Sequence, residues 1–336
     1  MAGLKKVPKA DPTKWLLEEE NPSIRYFTLT ELLDKPNTDP DVKKARRAIM
    51  SDPVVVKILS RQKDGGYWGK PQDFYVHAKY KGTVWTLLLL AQLGADGKND
   101  RIKNGCEFIL DYSQDRRSGG FAIHGNGVTG GNHSKVIPCL TGNMLWCLIR
   151  FGLLNDSRVR QGLNWIVKYL RFDDGDTRAP NEWPYEKLKP CWDKHTCHMA
   201  VVKSLKALAE IPPNKRSKGV NETIEKAAEF ILAHHIFKRS HNLQQISIPK
   251  WLRFGYPLMW NDDILEILGI LAKLGYRDKR MESALDKIIN KQDNSGRWKL
   301  ESTFNGRTQV NIEQLGKPSK WITLQALTVL NRHNSQ

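Results

Sequence analysis

Five segments of the chain are apolar on nearly every side of a helical wheel, and they recur at intervals of about 55 to 65 residues. A helix that is apolar all round is buried on all sides. The pattern therefore predicts five buried helices. They span 83–94, 141–152, 195–208, 262–275 and 321–330.

A second kind of segment follows each of the first four and is apolar on one side only. In the clearest case, Val159, Leu163, Ile166 and Leu170 form one stripe at helical spacing. Asp, Asn or Ser stands near each start, where it suits a helix N-cap. We predict amphipathic helices over 101–110, 156–170, 222–232 and 278–289, with glycine-containing turns at 62–68, 119–121, 173–175 and 292–298.

Buried and amphipathic helices that alternate in this way predict an all-α fold. We expect an (α/α) toroid, a closed double ring of five to six helix pairs, and an open α-solenoid is the alternative. Residues 15–50 have the pattern of two further helices. The predicted organisation is an N-terminal helical extension over 1–50 and a toroid domain over 51–336.

The loops that precede the buried helices are long, about 12 to 25 residues, and loops of that length are usually functional. Because the helices alternate in direction, these loops meet at one end of the ring. The positive ends of the buried helices point there too, so we expect a cavity mouth that suits an anionic group. The candidate substrate-binding residues are Arg253, Tyr256, Trp260, Arg307, Lys320 and Trp321.

The composition adds a charge to this picture: 53 Lys and Arg against 36 Asp and Glu give a net charge of +17 over 336 residues. Such an excess favours anionic partners, and nucleic acid is one of them. No motif that reads DNA or RNA supports it. The glycine-rich segment 125–131 follows no strand, so we expect no nucleotide cofactor.

Residues 1–15 lack the apolar segment of an export signal, and no apolar stretch reaches the roughly 20 residues of a membrane span. We therefore expect a cytoplasmic protein without a transmembrane segment, whose five cysteines are reduced. The pattern leaves the oligomeric state open.

Thiols and imidazoles cluster where the third buried helix begins. Cys191, His195 and Cys197 lie within seven residues, and Cys139 occupies the matching place in the preceding unit. Cysteine and histidine are the ligands that Zn²⁺ prefers. We predict a zinc site there; small core cysteines and hydrogen-bonded histidines are the alternative.

Three residues near these loops are candidates for acid–base catalysis. They are Asp193, His198 and Asp263. For Asp263, at the start of a buried helix, capping of that helix is the alternative role.

The turns at 62–68 and 292–298, together with the segments 138–143, 193–197 and 316–321, resemble those of prenyltransferase/squalene-oxidase repeat proteins, in the superfamily of squalene/hopene cyclases and protein prenyltransferase β subunits. The resemblance implies an (α/α) toroid with a central cavity. It also implies zinc, with His195 as the matched ligand and Cys139 as a second. The family's aspartate ligand is replaced by Ile137, and the acidic cyclase motif is reduced to Asn261, Asp262 and Asp263.

The functional hypothesis is a zinc-dependent enzyme that acts in the central cavity on an apolar or anionic small molecule, with an isoprenoid as one substrate class. The first alternative is a non-catalytic toroid that binds a ligand or partner and holds a structural zinc. The second is a basic helical scaffold that binds nucleic acid.

Overall fold

A computed structural model describes residues 9–334, which form thirteen α-helices. A π-helix, Thr28–Leu32, directly follows α2. The helices are α1 Thr13–Leu16, α2 Pro22–Phe27, α3 Pro40–Ile49, α4 Pro53–Leu59, α5 Thr83–Gln92, α6 Asp100–Tyr112, α7 Pro138–Arg150, α8 Ser157–Tyr169, α9 His198–Leu208, α10 Lys218–Ala233, α11 Ile264–Lys273, α12 Glu282–Asn290 and α13 Lys320–Asn334.

Strands within residues 9–334 form only short antiparallel pairs at the loops. The pairs are β1 Gly125–Asn126 with β2 Gly130–Gly131, β3 Lys238–Arg239 with β4 Asn242–Ile246, and β5 Trp298–Lys299 with β6 Pro318–Ser319.

The two predicted kinds of helix are confirmed. Helices α5, α7, α9, α11 and α13 are buried on most faces and contact one another in chain order. Each of α6, α8, α10 and α12 packs with its apolar face against the buried helix before it. The predominantly helical, two-layered arrangement is consistent with an (α/α) toroid. Asn99, Asp156, Ser217 and Asp278 accept the predicted backbone hydrogen bonds at helix starts.

The N-terminal helices share the core of the rest of the chain. Leu16, Ile24, Phe27 and Ile49 belong to the same hydrophobic cluster as the buried helices. Helix α2 and the π-helix pack against α13, the last helix of the chain. The domain boundary at residue 50 stays a prediction. Among the described residues, the N-terminal helices have one small separate apolar cluster, formed by Leu29, Val42 and Ala45.

The glycine-containing turns connect successive outer helices. Gln62 Nε2 donates to the carbonyl oxygens of Gly66 at 3.0 Å and Arg101 at 2.7 Å. Gln114 Nε2 makes the same pair of bonds, to Gly119 at 2.8 Å and Arg158 at 2.7 Å. Each glutamine therefore fixes the end of one outer helix to the beginning of the next.

The tryptophans of the first and last of these turns attach the outer layer to the inner one. Trp298 Nε1 donates to Ile288 O at 2.7 Å, and its backbone N–H donates to Thr323 Oγ1 on α13 at 3.0 Å. Trp68 repeats both bonds, with Ile58 O and Thr83 Oγ1. The recurrent turn is therefore a packing device between the layers.

None of the helices within residues 9–334 combines the length and the apolar character that crossing a bilayer requires.

We predict that Thr323→Val destabilises the protein by about 1–3 kcal/mol, because the buried N–H of Trp298 would lose its acceptor. Thr328→Val on the same helix is the matched control, since the Thr328 hydroxyl is buried without a hydrogen-bond partner among the described residues. The free energy of unfolding, measured in urea, should fall for the first variant and change little for the second. Equal losses would contradict the assigned role of the turn.

Candidate functional site

One loop packs among the inner helices. Residues 254–262, named here the inner loop, connect β4 and the segment after it to α11, and most of their side chains are buried. Leu258 exchanges two hydrogen bonds with the Gln92 side chain at the end of α5, at 2.8 and 2.6 Å. Asn143 Nδ2 of α7 donates to Met259 O at 3.3 Å. The inner loop thus contacts two inner helices through backbone groups.

Lys203 attaches the inner loop to a third inner helix, α9. Its side chain is fully buried, and Nζ donates to Asn261 O at 3.1 Å and to Glu266 Oε2 at 2.6 Å. Asp262 Oδ1 lies 2.8 Å from the same Nζ. Lys206 Nζ, one turn further along α9, lies 2.7 Å from the other oxygen of Glu266. Two lysines and two carboxyl groups therefore form one buried network.

Burial and pairing shift the pKa values of this network in opposite directions. Burial alone would lower the pKa of Lys203, but Asp262 and Glu266 outweigh it and raise the pKa. Burial alone would raise the pKa of Glu266, but the two ammonium groups outweigh it and lower the pKa. For Asp262, burial prevails over Lys203 and raises the pKa. For Lys206, burial prevails over Glu266 and lowers the pKa. Asp262 is thus the carboxyl group of the network that most readily holds a proton.

A cavity of about 190 Å³ is bounded by the inner loop and the inner helices. Its aromatic wall is formed by Phe27, Trp146, Tyr256 and Trp321, and the rings of Tyr256 and Trp321 stack with centroids 4.2 Å apart. The volume is below the roughly 300–1,000 Å³ of typical ligand pockets, so it suits a compact molecule.

The position of this cavity differs from the sequence-based expectation. Its lining on α5, α7 and α9 comes from the C-terminal ends of those helices, including Gln92, Arg150 and Lys206. We expected the mouth at the N-terminal ends, where the long loops are. The inner loop begins α11 at that end through Asp263 but reaches Gln92 at the C-terminal end of α5, and the cavity lies beside Leu258, toward the short-loop end.

Charged side chains in the cavity wall are paired with one another. Lys273 Nζ lies 2.7 Å from Glu210 Oε1, which also accepts from Trp146 Nε1 at 3.1 Å. Lys206 Nζ lies 4.0 Å from the centroid of the Trp146 ring. Cations in the last turns of α7, α9 and α11 are stabilised there by the negative ends of the helices. The wall can therefore hold an anionic group beside an aromatic surface.

Two of the six predicted substrate-binding residues, Tyr256 and Trp321, line the cavity. Lys320 lies outside it and pairs with Glu18 at 2.6 Å. Trp260 is half-buried and donates to the Tyr80 hydroxyl at 2.7 Å. Arg253 and Arg307 are exposed, Arg253 donating to Glu301 O at 3.0 Å and Arg307 lying over the Tyr80 ring at 4.8 Å.

The ligand atoms that surround His195 in the described part of the chain do not form a group with the predicted cysteine ligands. Cys139, Cys191 and Cys197 lie near one another: burial raises the pKa of Cys139, and the thiols of Cys191 and Cys197 raise it further. Burial also raises the pKa of Cys191 to about 12. His195 is exposed and lies beside Asp174 and His241. Within residues 9–334, the group of three His, Cys, Asp or Glu ligand atoms that all lie within 4.8 Å of one another is formed by Asp174, His195 and His241. The zinc site stays a prediction.

The three predicted acid–base residues lie in different surroundings. Asp193 is exposed. The ring nitrogens of His198 are buried without hydrogen-bond partners in the described chain, and burial, followed by the charge of His234, lowers its pKa to about 3. Asp263 caps α11, accepting from Glu266 N at 2.8 Å and from Gly255 N at 3.0 Å. Burial raises the pKa of Asp263 to about 7.

Sequence reasoning missed Lys203, Lys206 and Glu266. The available signal was a charged residue inside a segment that is otherwise apolar all round, as in Val201-Val202-Lys203-Ser204-Leu205 and Ile264-Leu265-Glu266-Ile267. A buried lysine or glutamate needs a partner of opposite charge. Two such residues on different helices therefore predict each other as partners.

No protein-family model and no curated protein matches this chain. Solved structures that match the chain include a protein from Actinoplanes, with 16% identity, a TM-score of 0.45, and coverage of 94% of this chain and 90% of that one. A family 76 glycoside hydrolase from a bovine Bacteroides thetaiotaomicron strain has 12% identity, a TM-score of 0.44 and coverage of 94% and 67%. The type II terpene cyclase MstE from Scytonema has 13% identity, a TM-score of 0.30 and coverage of 87% and 97%. Similarities this low assign no family.

We predict a pH dependence of stability that arises from Asp263. Its pKa is about 7 in the folded protein and about 3.9 in the unfolded chain, so its contribution is fully present below pH 4. As the pH rises from 4 to 7, wild-type protein should lose stability relative to Asp263→Asn by up to about 1.4 kcal/mol per pH unit. Denaturant titrations at several pH values measure this slope.

Asp156→Asn is the matched control, because Asp156 also caps a helix but its pKa is lowered, chiefly by Arg158. Its stabilising contribution is present above the unfolded pKa and is lost as the pH falls below about 4. The difference in unfolding free energy between wild type and variant should therefore change with pH in opposite directions for Asp263→Asn and Asp156→Asn. The same slope for both would contradict the buried, protonated state of Asp263.

Proposed function

We propose that this protein is an enzyme that takes a small organic anion into the central cavity and transfers a proton to or from it through Glu266 and Lys206. Both residues line the cavity and belong to the buried network around Lys203. The observation that carries the proposal is this network itself. Buried ion pairs contribute little to stability compared with apolar packing, and perturbed pKa values cluster at functional sites.

The cavity wall supports an anion with an apolar body. Trp146, Tyr256 and Trp321 offer ring surfaces, while Arg150, Lys206 and Lys273 offer positive charge. The apolar or anionic substrate class expected from the sequence fits this wall. The volume of about 190 Å³ favours a compact molecule over a long isoprenoid chain.

The proposal includes closure of the helical ring by the N-terminal segment. Phe27 of α2 lies with its ring centroid 6.0 Å from that of Trp321 on α13. Phe27 also lies close to Gly94, directly after α5. A Cβ atom on Gly94 would lie 2.9 Å from Phe27 Cζ, so the glycine allows α2 to pack against the end of α5. Residues 22–32 would then serve as the sixth inner segment, between α13 and α5.

Zinc is a separate part of the proposal. Among the described residues that line the cavity, none is a predicted zinc ligand. Cys139, Cys191 and Cys197, which lie outside the cavity wall, are one of two alternative ligand sets for a single zinc ion per chain. The proton transfer is assigned to Glu266 and Lys206, because these side chains face the cavity.

A non-catalytic binding function is the second candidate, and one observation favours it. The cations of the wall are already paired, Lys206 with Glu266 and Lys273 with Glu210. An anion that joins this wall can be held without reacting. Proton transfer to a bound probe distinguishes the two functions.

We predict that phenylpyruvate, phenyl phosphate or dimethylallyl diphosphate raises the thermal midpoint of wild-type protein, because a ligand that binds the folded state stabilises it. Lys206→Met should abolish the increase. Lys218→Met, at a side chain that is 92% exposed, should leave it unchanged. No shift with any of the three probes, or equal shifts in both variants, would contradict binding in the cavity.

Exchange of the phenylpyruvate methylene hydrogens in D₂O, followed by NMR, tests the catalytic step. The wild type and Lys218→Met should accelerate this exchange, and Glu266→Gln should abolish the acceleration. Binding without any acceleration in the wild type would favour the non-catalytic function.

A further inference from the structure

A second cluster of ionisable side chains lies away from the cavity, where four segments of the chain meet. Asp174 lies in the turn after α8, His195 in the loop before α9, His234 directly after α10, and His241 between β3 and β4. His195 Nδ1 and His234 Nε2 each lie 3.4 Å from Asp174 Oδ1, and His241 Nε2 lies 3.8 Å from Asp174 Oδ2. Three imidazoles thus surround one carboxylate.

These separations are close to those that a bound metal requires. Zinc lies about 2.0–2.2 Å from histidine nitrogen and carboxylate oxygen, so neighbouring ligands of a tetrahedral ion are about 3.3 Å apart. The ligand atoms of Asp174, His195 and His241 all lie within 4.8 Å of one another. Small adjustments of side chains are sufficient, since the side chains of His195 and His241 are 62% and 61% exposed.

His234 is oriented for this role by a hydrogen bond at its other nitrogen. Its Nδ1 lies 2.7 Å from Phe230 O, and because a carbonyl oxygen only accepts, Nδ1 carries the hydrogen. In the neutral ring, Nε2 then presents a lone pair to the Asp174 carboxylate. The lone pair of His234 Nε2 and those of the Asp174 carboxylate repel each other, and a proton or a metal ion between them removes this repulsion. A backbone carbonyl bonded to the second nitrogen is the usual support of a metal-binding histidine.

A glycine keeps the space between the imidazoles open. Gly175 has φ +106°, and a Cβ atom there would lie 3.1 Å from His195 Cε1 and 3.2 Å from His241 Nε2. His241 Nε2 also contacts the backbone oxygen of Asp174. Metal binding uses the same nitrogen, so the ion would replace this hydrogen bond.

We propose that Asp174, His195 and His241 bind one divalent transition-metal ion, with Zn²⁺ as the ion that this donor set suits best. His234 Nε2 lies 3.4 Å from Asp174 Oδ1 but outside this group of three, and it would move toward the ion as the fourth ligand. The ion would link the turn after α8 to the end of α10 and to the loop between β3 and β4. This site shares His195 with the sequence-based prediction but contains no cysteine. It is independent of the proposed proton transfer in the cavity.

The test is zinc binding to full-length protein stripped of metal with a chelator and titrated with ZnCl₂ by calorimetry. We expect one ion per chain. Asp174→Asn, His195→Ala and His241→Ala should each weaken binding at least tenfold. His133→Ala is the matched control, because His133 forms a similar pair with Asp115 at 2.6 Å outside the cluster and should leave binding unchanged.

A triple Cys139→Ser, Cys191→Ser, Cys197→Ser variant decides between the two ligand sets. We expect it to retain binding, and we expect bound Co²⁺ to show no thiolate charge-transfer absorption in the wild type. Absence of stoichiometric binding would overturn the proposal. So would binding that the triple variant loses and His241→Ala retains. Circular dichroism of each variant confirms folding, and the exposed positions His195 and His241 carry the test if His234→Ala does not fold.

Discussion

The contacts of the Lys203 ammonium group organise the centre of this protein. A fully buried charge must be compensated, and here the compensation comes from Asn261 O, Asp262 and Glu266 together. Because these partners belong to the inner loop and α11 while Lys203 belongs to α9, the same interaction joins three parts of the fold. It fixes the inner loop among the inner helices, beside the cavity that Tyr256 and Leu258 help to line.

The inner loop also explains the character of that cavity. Tyr256 stacks on Trp321 at its inner end, while Arg150, Lys206 and Lys273 stand in the last turns of their helices. The helix ends there carry partial negative charge, which stabilises cations in the wall. The cations therefore follow from the direction of the helices, and the inner loop contributes Tyr256 to the aromatic wall.

The helical layers could be predicted from the sequence because they depend on local patterns. Segments that are apolar all round became α5, α7, α9, α11 and α13, and the residues predicted as caps accept hydrogen bonds at helix starts. The position of the cavity could not be predicted this way. It depends on residues 254–262 reaching Gln92 and Asn143, contacts that join positions more than a hundred residues apart.

The site residues show the same limit. Closeness in sequence suggested that His195 would join Cys191 and Cys197, but Thr196 N donates to Asp173 O at 2.8 Å, and this pairing holds His195 beside Asp174. Lys203 and Glu266 were present in the sequence as isolated charges in apolar helices. Their pairing depends on the relative positions of α9 and α11, which no local pattern contains.

Hydrogen–deuterium exchange in wild-type protein and in Lys203→Met is the most direct test of the role of Lys203. The account predicts slow exchange over residues 254–262 in the wild type and fast exchange there in the variant, while the turn at 292–298 stays equally protected in both. Unchanged protection of residues 254–262 in Lys203→Met, with the turn also unchanged, would contradict the claim that this ammonium group holds the inner loop in the ring.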